Sequence, residues 1–207
     1  MTRSMPTVRA WLVAAALMGA APAAVRAQGQ TAAIPADARY TAADVAFMQG
    51  MIGHHAQALE MSALVAGRST RPELALLAER ISVSQRDEIA IMQTWLSERK
   101  QPVPATGGHD MHAAHAMHGS AGAAHQMPGM LSPAQMDSLT KAAGPAFDRL
   151  FLQYMIQHHE GALTMVAELL RAPNAAREPM MFQFVSDVDT DQRAEIRRMQ
   201  ALLRTLP

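Results

Sequence analysis

Residues 47–65 read FMQGMIGHHAQALEMSALV, and residues 151–169 read FLQYMIQHHEGALTMVAEL. At an offset of 104, Phe47, Gln49, Met51, Ile52, His54, His55, Ala58, Leu59, Met61 and Ala63 all recur. A second block recurs at an offset of 107, where Gln85, Arg86, Glu88, Ile89, Met92, Gln93 and Leu96 return as Gln192, Arg193, Glu195, Ile196, Met199, Gln200 and Leu203. The chain is one unit used twice. Each unit is a pair of elements joined by a turn, three residues longer in the second copy.

The periodicity makes those elements helices. Val45, Met48, Ile52, His55, Leu59 and Ala66 follow three- and four-residue spacing, beside a second row of Phe47, Met51, His54, Ala58, Met61 and Val65. Thr41 and Asp44 read as a capping box that opens the first helix, and Gly67 as its stop. Thr70 and Glu73, with Pro72 between them, read as the start of the second, which ends before Pro102. The third helix is expected at about 146–170 and the fourth at about 179–203. A short helix precedes the third, capped by Ser132 and Gln135, with Leu131 and Met136 as its hydrophobic staple. No segment alternates with period two. The expected fold is all-α: a ferritin-like four-helix bundle assembled from two helical hairpins.

Composition bounds the function. Of 207 residues, 49% are apolar, enough for a core, while Lys+Arg and Asp+Glu both number 18, which argues against a nucleic-acid footprint. There is no cysteine, so disulfides, thiolate metal sites and thiol catalysis are excluded. Methionine is abundant at 17 residues and is the only source of a sulfur ligand. Arg3 and Arg9 precede a short apolar run, and Ala27 closes a small-residue site, so 1–27 reads as a signal peptide and the mature chain as exported, most simply periplasmic. Removing Arg3, Arg9 and Arg26 leaves a net charge of −3. No later stretch is apolar enough to span a membrane. The expected organisation is then a flexible segment at 28–40, a first hairpin at 41–100, a His/Met-rich linker at 101–131 and a short helix with the second hairpin at 132–207.

All nine histidines fall in two places. His54, His55, His158 and His159 lie in the repeated helices. On each, a methionine (Met51 or Met155) precedes the pair by three and four residues, which puts thioether and imidazole on one face. Met61 and Met165, seven residues beyond His54 and His158, lie too far along the axis to chelate with the first methionine. They pack or form a second site. A structural reading also exists: Gln85 or Gln192 could hydrogen-bond a buried histidine, and methionine fills irregular cores. The other five histidines belong to the linker group of His109, Met111, His112, His115, Met117, His118, His125, Met127 and Met130, where composition alone suggests chelation. Thioether with imidazole and without thiolate selects a soft ion, so copper, with Cu(I) favoured and Ag(I) as its mimic, is the expected ligand.

At these residues the chain resembles the domain of unknown function 305 family, ferritin-like bundles that include CopM-type periplasmic copper-binding proteins. The resemblance rests on M-x-x-H-H-x-x-A-L-x-M at 51–61 and 155–165 and on Q-R-x-E-I-x-x-M at 85–92 and 192–199. It implies a helical bundle, export, and copper or silver binding and tolerance. The implied ligands are Met51, His54, His55, Met61, Met155, His158, His159 and Met165. The expected function is a non-enzymatic metal buffer or carrier, whose partners are metal ions and a copper-accepting or copper-exporting protein. A di-metal oxidoreductase is the rival, supported by Glu88 and Glu195 on the partner helices. It is opposed by methionine at the positions where Glu-x-x-His sites carry Glu. A bundle that docks a partner protein without metal is the third reading.

Overall fold

The capping box at Thr41 forms as expected and reaches further than its own helix. Asp44 Oδ2 accepts from the Thr41 backbone N–H at 2.7 Å, and Thr41 Oγ1 accepts from the Asp44 N–H at 3.3 Å. The other oxygen, Asp44 Oδ1, accepts from the Ala176 N–H at 2.7 Å, so the cap of the first helix also pins the turn of the second hairpin. In this computed structural model, which describes residues 32–105 and 127–206, six helical segments follow in order: α1 (Ala42–Ala63), α2 (Val65–Arg68), α3 (Pro72–Glu98), α4 (Pro133–Lys141), α5 (Gly144–Arg171) and α6 (Pro179–Thr205). There is no strand among the described residues.

Two helix boundaries differ from expectation. The first helix breaks at Leu64 rather than stopping at Gly67, which lies inside the single turn of α2. Helix α3, the second one expected, is capped by Arg71, without a side-chain bond, rather than by a Thr70 box. Pro72 explains this, because its ring drives the preceding residue out of the helical region and makes Arg71 the last extended position. The Ser132–Gln135 box is present in both directions, with bonds of 2.9 and 3.3 Å.

Helices α1 and α3 form the first hairpin, α5 and α6 the second, and the hairpins meet mainly through α1 and α5. The core is divided in two. Val45, Met48, Met51 and Ile52 at the start of α1 pack with Ala162, Met165, Val166 and Leu169 at the end of α5. Ala58 and Met61 at the end of α1 pack with Phe147, Phe151, Leu152 and Met155 at the start of α5. The two central helices are therefore antiparallel, and the repeats are related by a half-turn across the bundle. At one end Arg99 lies over the Trp95 ring, 4.2 Å from its centroid, and pairs with Glu178, tying the end of α3 to the start of α6.

Parts of the segment expected to be flexible, and both ends of the expected linker, take part in this packing. In the N-terminal segment, Ile34 and Tyr40 pack on the core, and the Tyr40 ring meets Trp95 edge-on at 5.3 Å. Gln101 is buried at one end of the His/Met-rich segment, and Met130 and Leu131 are buried at the other. Residues 1–27 and 106–126 lie outside the described residues, and with them the expected signal peptide, His109, Met111, His112, His115, Met117, His118 and His125.

With a core that needs no ligand, the metal-free protein should show high helicity by circular dichroism. A chain that becomes helical only on adding copper would contradict this fold. Asp44→Ala removes both the cap and the tie to Ala176, and should cost about 2 kcal/mol. This would be read as a lower urea midpoint with helicity retained.

Candidate metal centre

The layer between the two apolar clusters is polar. It is built from His54, His55, His158 and His159, all with no exposed surface, and from buried Gln85, Glu88, Gln192 and Glu195. The His54 and His158 rings face each other across the α1/α5 contact with centroids 3.8 Å apart. His55 and His159 lie outward toward the partner helices, 6.4 Å from His54 and 6.1 Å from His158 respectively.

Each outward histidine is held by a carboxylate. His55 Nε2 donates to Glu88 Oε2 at 2.5 Å, and His159 Nε2 donates to Glu195 Oε2 at 2.6 Å. Ser84 Oγ donates to the other Glu88 oxygen at 3.2 Å and steadies it. Glu88 and Glu195, readable from sequence as di-metal ligands, thus hold imidazole rings. Gln85 and Gln192, the partners that the structural reading offered, keep unpaired amide atoms. The repeat itself was the available signal, since both Glu residues recur in register with the glutamines. The nearby carboxyl of Asp191 is held above its ordinary value, first by burial and then by the charges of Glu88, Glu195 and Asp187.

His54 is held by a different group. Its Nε2 donates to the backbone oxygen of Pro128 at 3.0 Å. Pro128 belongs to a strap, residues 127–131, that crosses both central helices. Gln57 donates to Leu131 O at 3.1 Å and accepts from Leu131 N at 2.7 Å. Gln157 Nε2 donates to Gly129 O at 3.3 Å. Gly129 has φ +74° and lies on Gly161 so closely that a Cβ added to Gly161 would stand 2.0 Å from Pro128 O. Only glycine permits that approach.

Three of the four rings therefore spend Nε2 on a protein partner, and Nδ1 of all four is buried without one; His158 lacks a partner on Nε2 as well. A buried polar atom left unpaired costs about 1–3 kcal/mol. A histidine whose Nε2–H is donated coordinates through Nδ1, and a carboxylate or carbonyl behind the ring is the usual outer support of a metal ligand. These residues fit a metal ion. Among the described residues, however, no three His, Asp or Glu side chains gather closely enough to hold one by themselves. The remaining donors would be thioethers. Met51 and Met165 share one flanking cluster, and Met61 and Met155 the other, so sulfur borders the histidine layer on both sides. Met51 is thus grouped with Met165 of the other hairpin, rather than with Met61 of its own. Of the linker group, Met127 and Met130 sit in the strap over this layer.

The sequence profile of the family described as Domain of unknown function (DUF305) matches residues 44–203. The chain belongs to the DUF305 family. A crystal structure of a DUF305 fragment from Deinococcus radiodurans is similar to 81% of this chain and 99% of its own, at 32% identity and a TM-score of 0.65. CopM in its Cu(II)-bound form is similar to 78% of this chain and 95% of its own, at 31% identity and a TM-score of 0.59. Cu(I)-bound and Ag-bound forms of CopM are similar too. A viral relative, "Uncharacterized protein L153" of Acanthamoeba polyphaga mimivirus, is 40% identical over 57 residues, 28% of this chain and 38% of that protein's length.

Burial makes the layer acid-sensitive. It lowers the pKa of His54 to about 3, helped by His55 and His159 and opposed by the Pro128 carbonyl. It also holds His158 well below 6.5, helped by the neighbouring His54, His159 and His55. In the unfolded chain both titrate near pH 6.5, so below that the unfolded state takes up protons that the folded state refuses. Stability from these groups is full above about pH 6.5 and falls as pH drops toward the His54 value of about 3, by up to about 1.4 kcal/mol per pH unit for each histidine. Thermal melts of the metal-free protein should show this slope, and the double variant His54→Leu/His158→Leu should flatten it.

Proposed function

We propose that this DUF305 protein is an exported buffer or carrier of Cu(I), with Ag(I) as an alternative cargo, and that it is not an enzyme. The observation that carries the reading is the set of four buried histidines. Their Nδ1 atoms are unpartnered, three of the rings are fixed through Nε2, and thioethers border them above and below. Imidazole with thioether, and without thiolate or a free cluster of carboxylates, suits a soft monovalent ion and not two hard ones. Glu88 and Glu195 orient imidazoles, which weakens the case for the di-metal oxidoreductase they first suggested. Likeness to CopM in its copper- and silver-bound forms supports the same reading.

Export rests on the apolar segment at the start of the sequence, and no helix among the described residues is long and apolar enough to cross a membrane. In this reading the protein's partners are metal ions and a copper-accepting or copper-exporting protein. The His/Met group from His109 to His125 forms a separate, looser store whose imidazoles lose metal to protons below about pH 6.

Competition for Cu(I) against a chromophoric chelator tests the proposal. The mature protein should take copper from the chelator. Replacing His54, His55, His158 and His159 with Ala should remove the tighter component, and deleting 106–126 should lower stoichiometry while leaving that component in place. Unchanged Cu(I) affinity in the quadruple variant would make the four histidines structural and end the proposal.

A further inference from the structure

The two repeats differ where the strap crosses them. Gly50, Gly53 and Gln57 of α1 occupy the positions of Tyr154, Gln157 and Gly161 of α5. Each central helix therefore offers the strap one close-approach glycine and one clamping glutamine, in opposite order, and α1 has a second glycine where α5 carries tyrosine. That extra glycine, Gly50, opens a space that two methionines use. The Met127 sulfur lies 3.3 Å, and the Met165 methyl 3.4 Å, from the point where a Gly50 Cβ would stand. The Met127 methyl lies 3.7 Å from the equivalent point on Gly53. Met127 thus runs along α1 one turn before His54, and its neighbour Pro128 holds the His54 ring. A tyrosine at position 50 would fill this space, so the arrangement occurs on one side of the bundle only.

Exposure grades inward along the same line. Met127 is half-buried, Met165 retains 9% of its surface, and His54 and His158 retain none. An ion coming from solvent must meet a less buried donor before it meets the imidazoles. On this side, the donors at the rim are thioethers.

We propose that Met127 is a ligand of the bundle site rather than of the linker group. With Met165 it forms a two-thioether mouth over Gly50, through which a soft monovalent ion reaches His54 and His158. This rests on the copper and silver reading above. Thioether at the rim makes the mouth selective, because it binds Cu(I) and Ag(I) while offering little to Zn(II) or to protons. The strap then has two coupled roles carried by adjacent residues: Met127 receives the ion, and the Pro128 carbonyl fixes the tautomer of the ring that accepts it.

The test uses the full mature chain with methyl-labelled methionine and Ag(I), which is redox-silent. Met127→Leu and Met165→Leu assign the two methyl resonances. In the wild-type protein both should shift at substoichiometric Ag(I). Met127→Leu should retain wild-type helicity and melting temperature, yet bind Ag(I) about tenfold more weakly and exchange it more slowly, a loss the size of one modest interaction. Met180→Leu, at an exposed position, should change nothing. An unmoved Met127 methyl, with wild-type Ag(I) affinity in Met127→Leu, would overturn the mouth; the metal reading would survive if His54→Ala/His158→Ala still abolished binding. Ag(I) affinity untouched by either set of substitutions would overturn both.

Discussion

Two imidazole rings, 3.8 Å apart and sealed from solvent, sit where an ordinary bundle would place leucine. The rest of the molecule is arranged around that cost. The apolar core is split into two clusters, one on each side of the layer. Carboxylates are brought in from the outer helices to hold the second pair of rings, and a backbone carbonyl is brought in from outside the bundle to hold His54. What remains unheld is one nitrogen on each of three rings and both nitrogens of His158. The unmatched donors and acceptors of this layer are what the proposed metal reading accounts for.

Much of this was legible in the chain. The duplication, the helical period and the recurrence of M-x-x-H-H were enough for the bundle, the two hairpins and the central placement of the histidines. Glu88 and Glu195 were visible as repeated residues, but their role was not, because periodicity says which face a residue is on and not which neighbouring face it meets. The choice between Gln85 and Glu88 as the partner of a histidine is a matter of less than one helical turn. The strap was hidden for another reason. Met-Pro-Gly-Met at 127–130 has the composition of a linker, and its packing depends on Gly161, whose significance appears only when the second repeat is laid on the first. Arg71 as a cap was missed because Thr70 and Glu73 fit a familiar pattern, and the stiffness of Pro72 overrode it.

The strap also explains why a duplicated protein need not behave as a symmetric one. Glycine and glutamine trade places between α1 and α5, so the halves can present matching surfaces to each other and unlike surfaces to the segment that lies across them. Met51 with Met165, and Met61 with Met155, remain near-equivalent pairs. Gly50 and Tyr154 do not, and that difference gives the layer a front and a back.

Rotation, rather than translation, relates the two halves, and this makes the molecule its own reference. Every residue of the histidine layer has a twin that meets the same layer from the opposite end of the bundle, in the same chain, at the same concentration and under the same solvent conditions. Exchanging the sequences of α1 and α5 over the histidine stretch would leave the composition unchanged while moving the glycine opening away from the strap. The fold thereby separates two quantities that are confounded in most binding proteins: what the donor atoms contribute, and what their placement contributes.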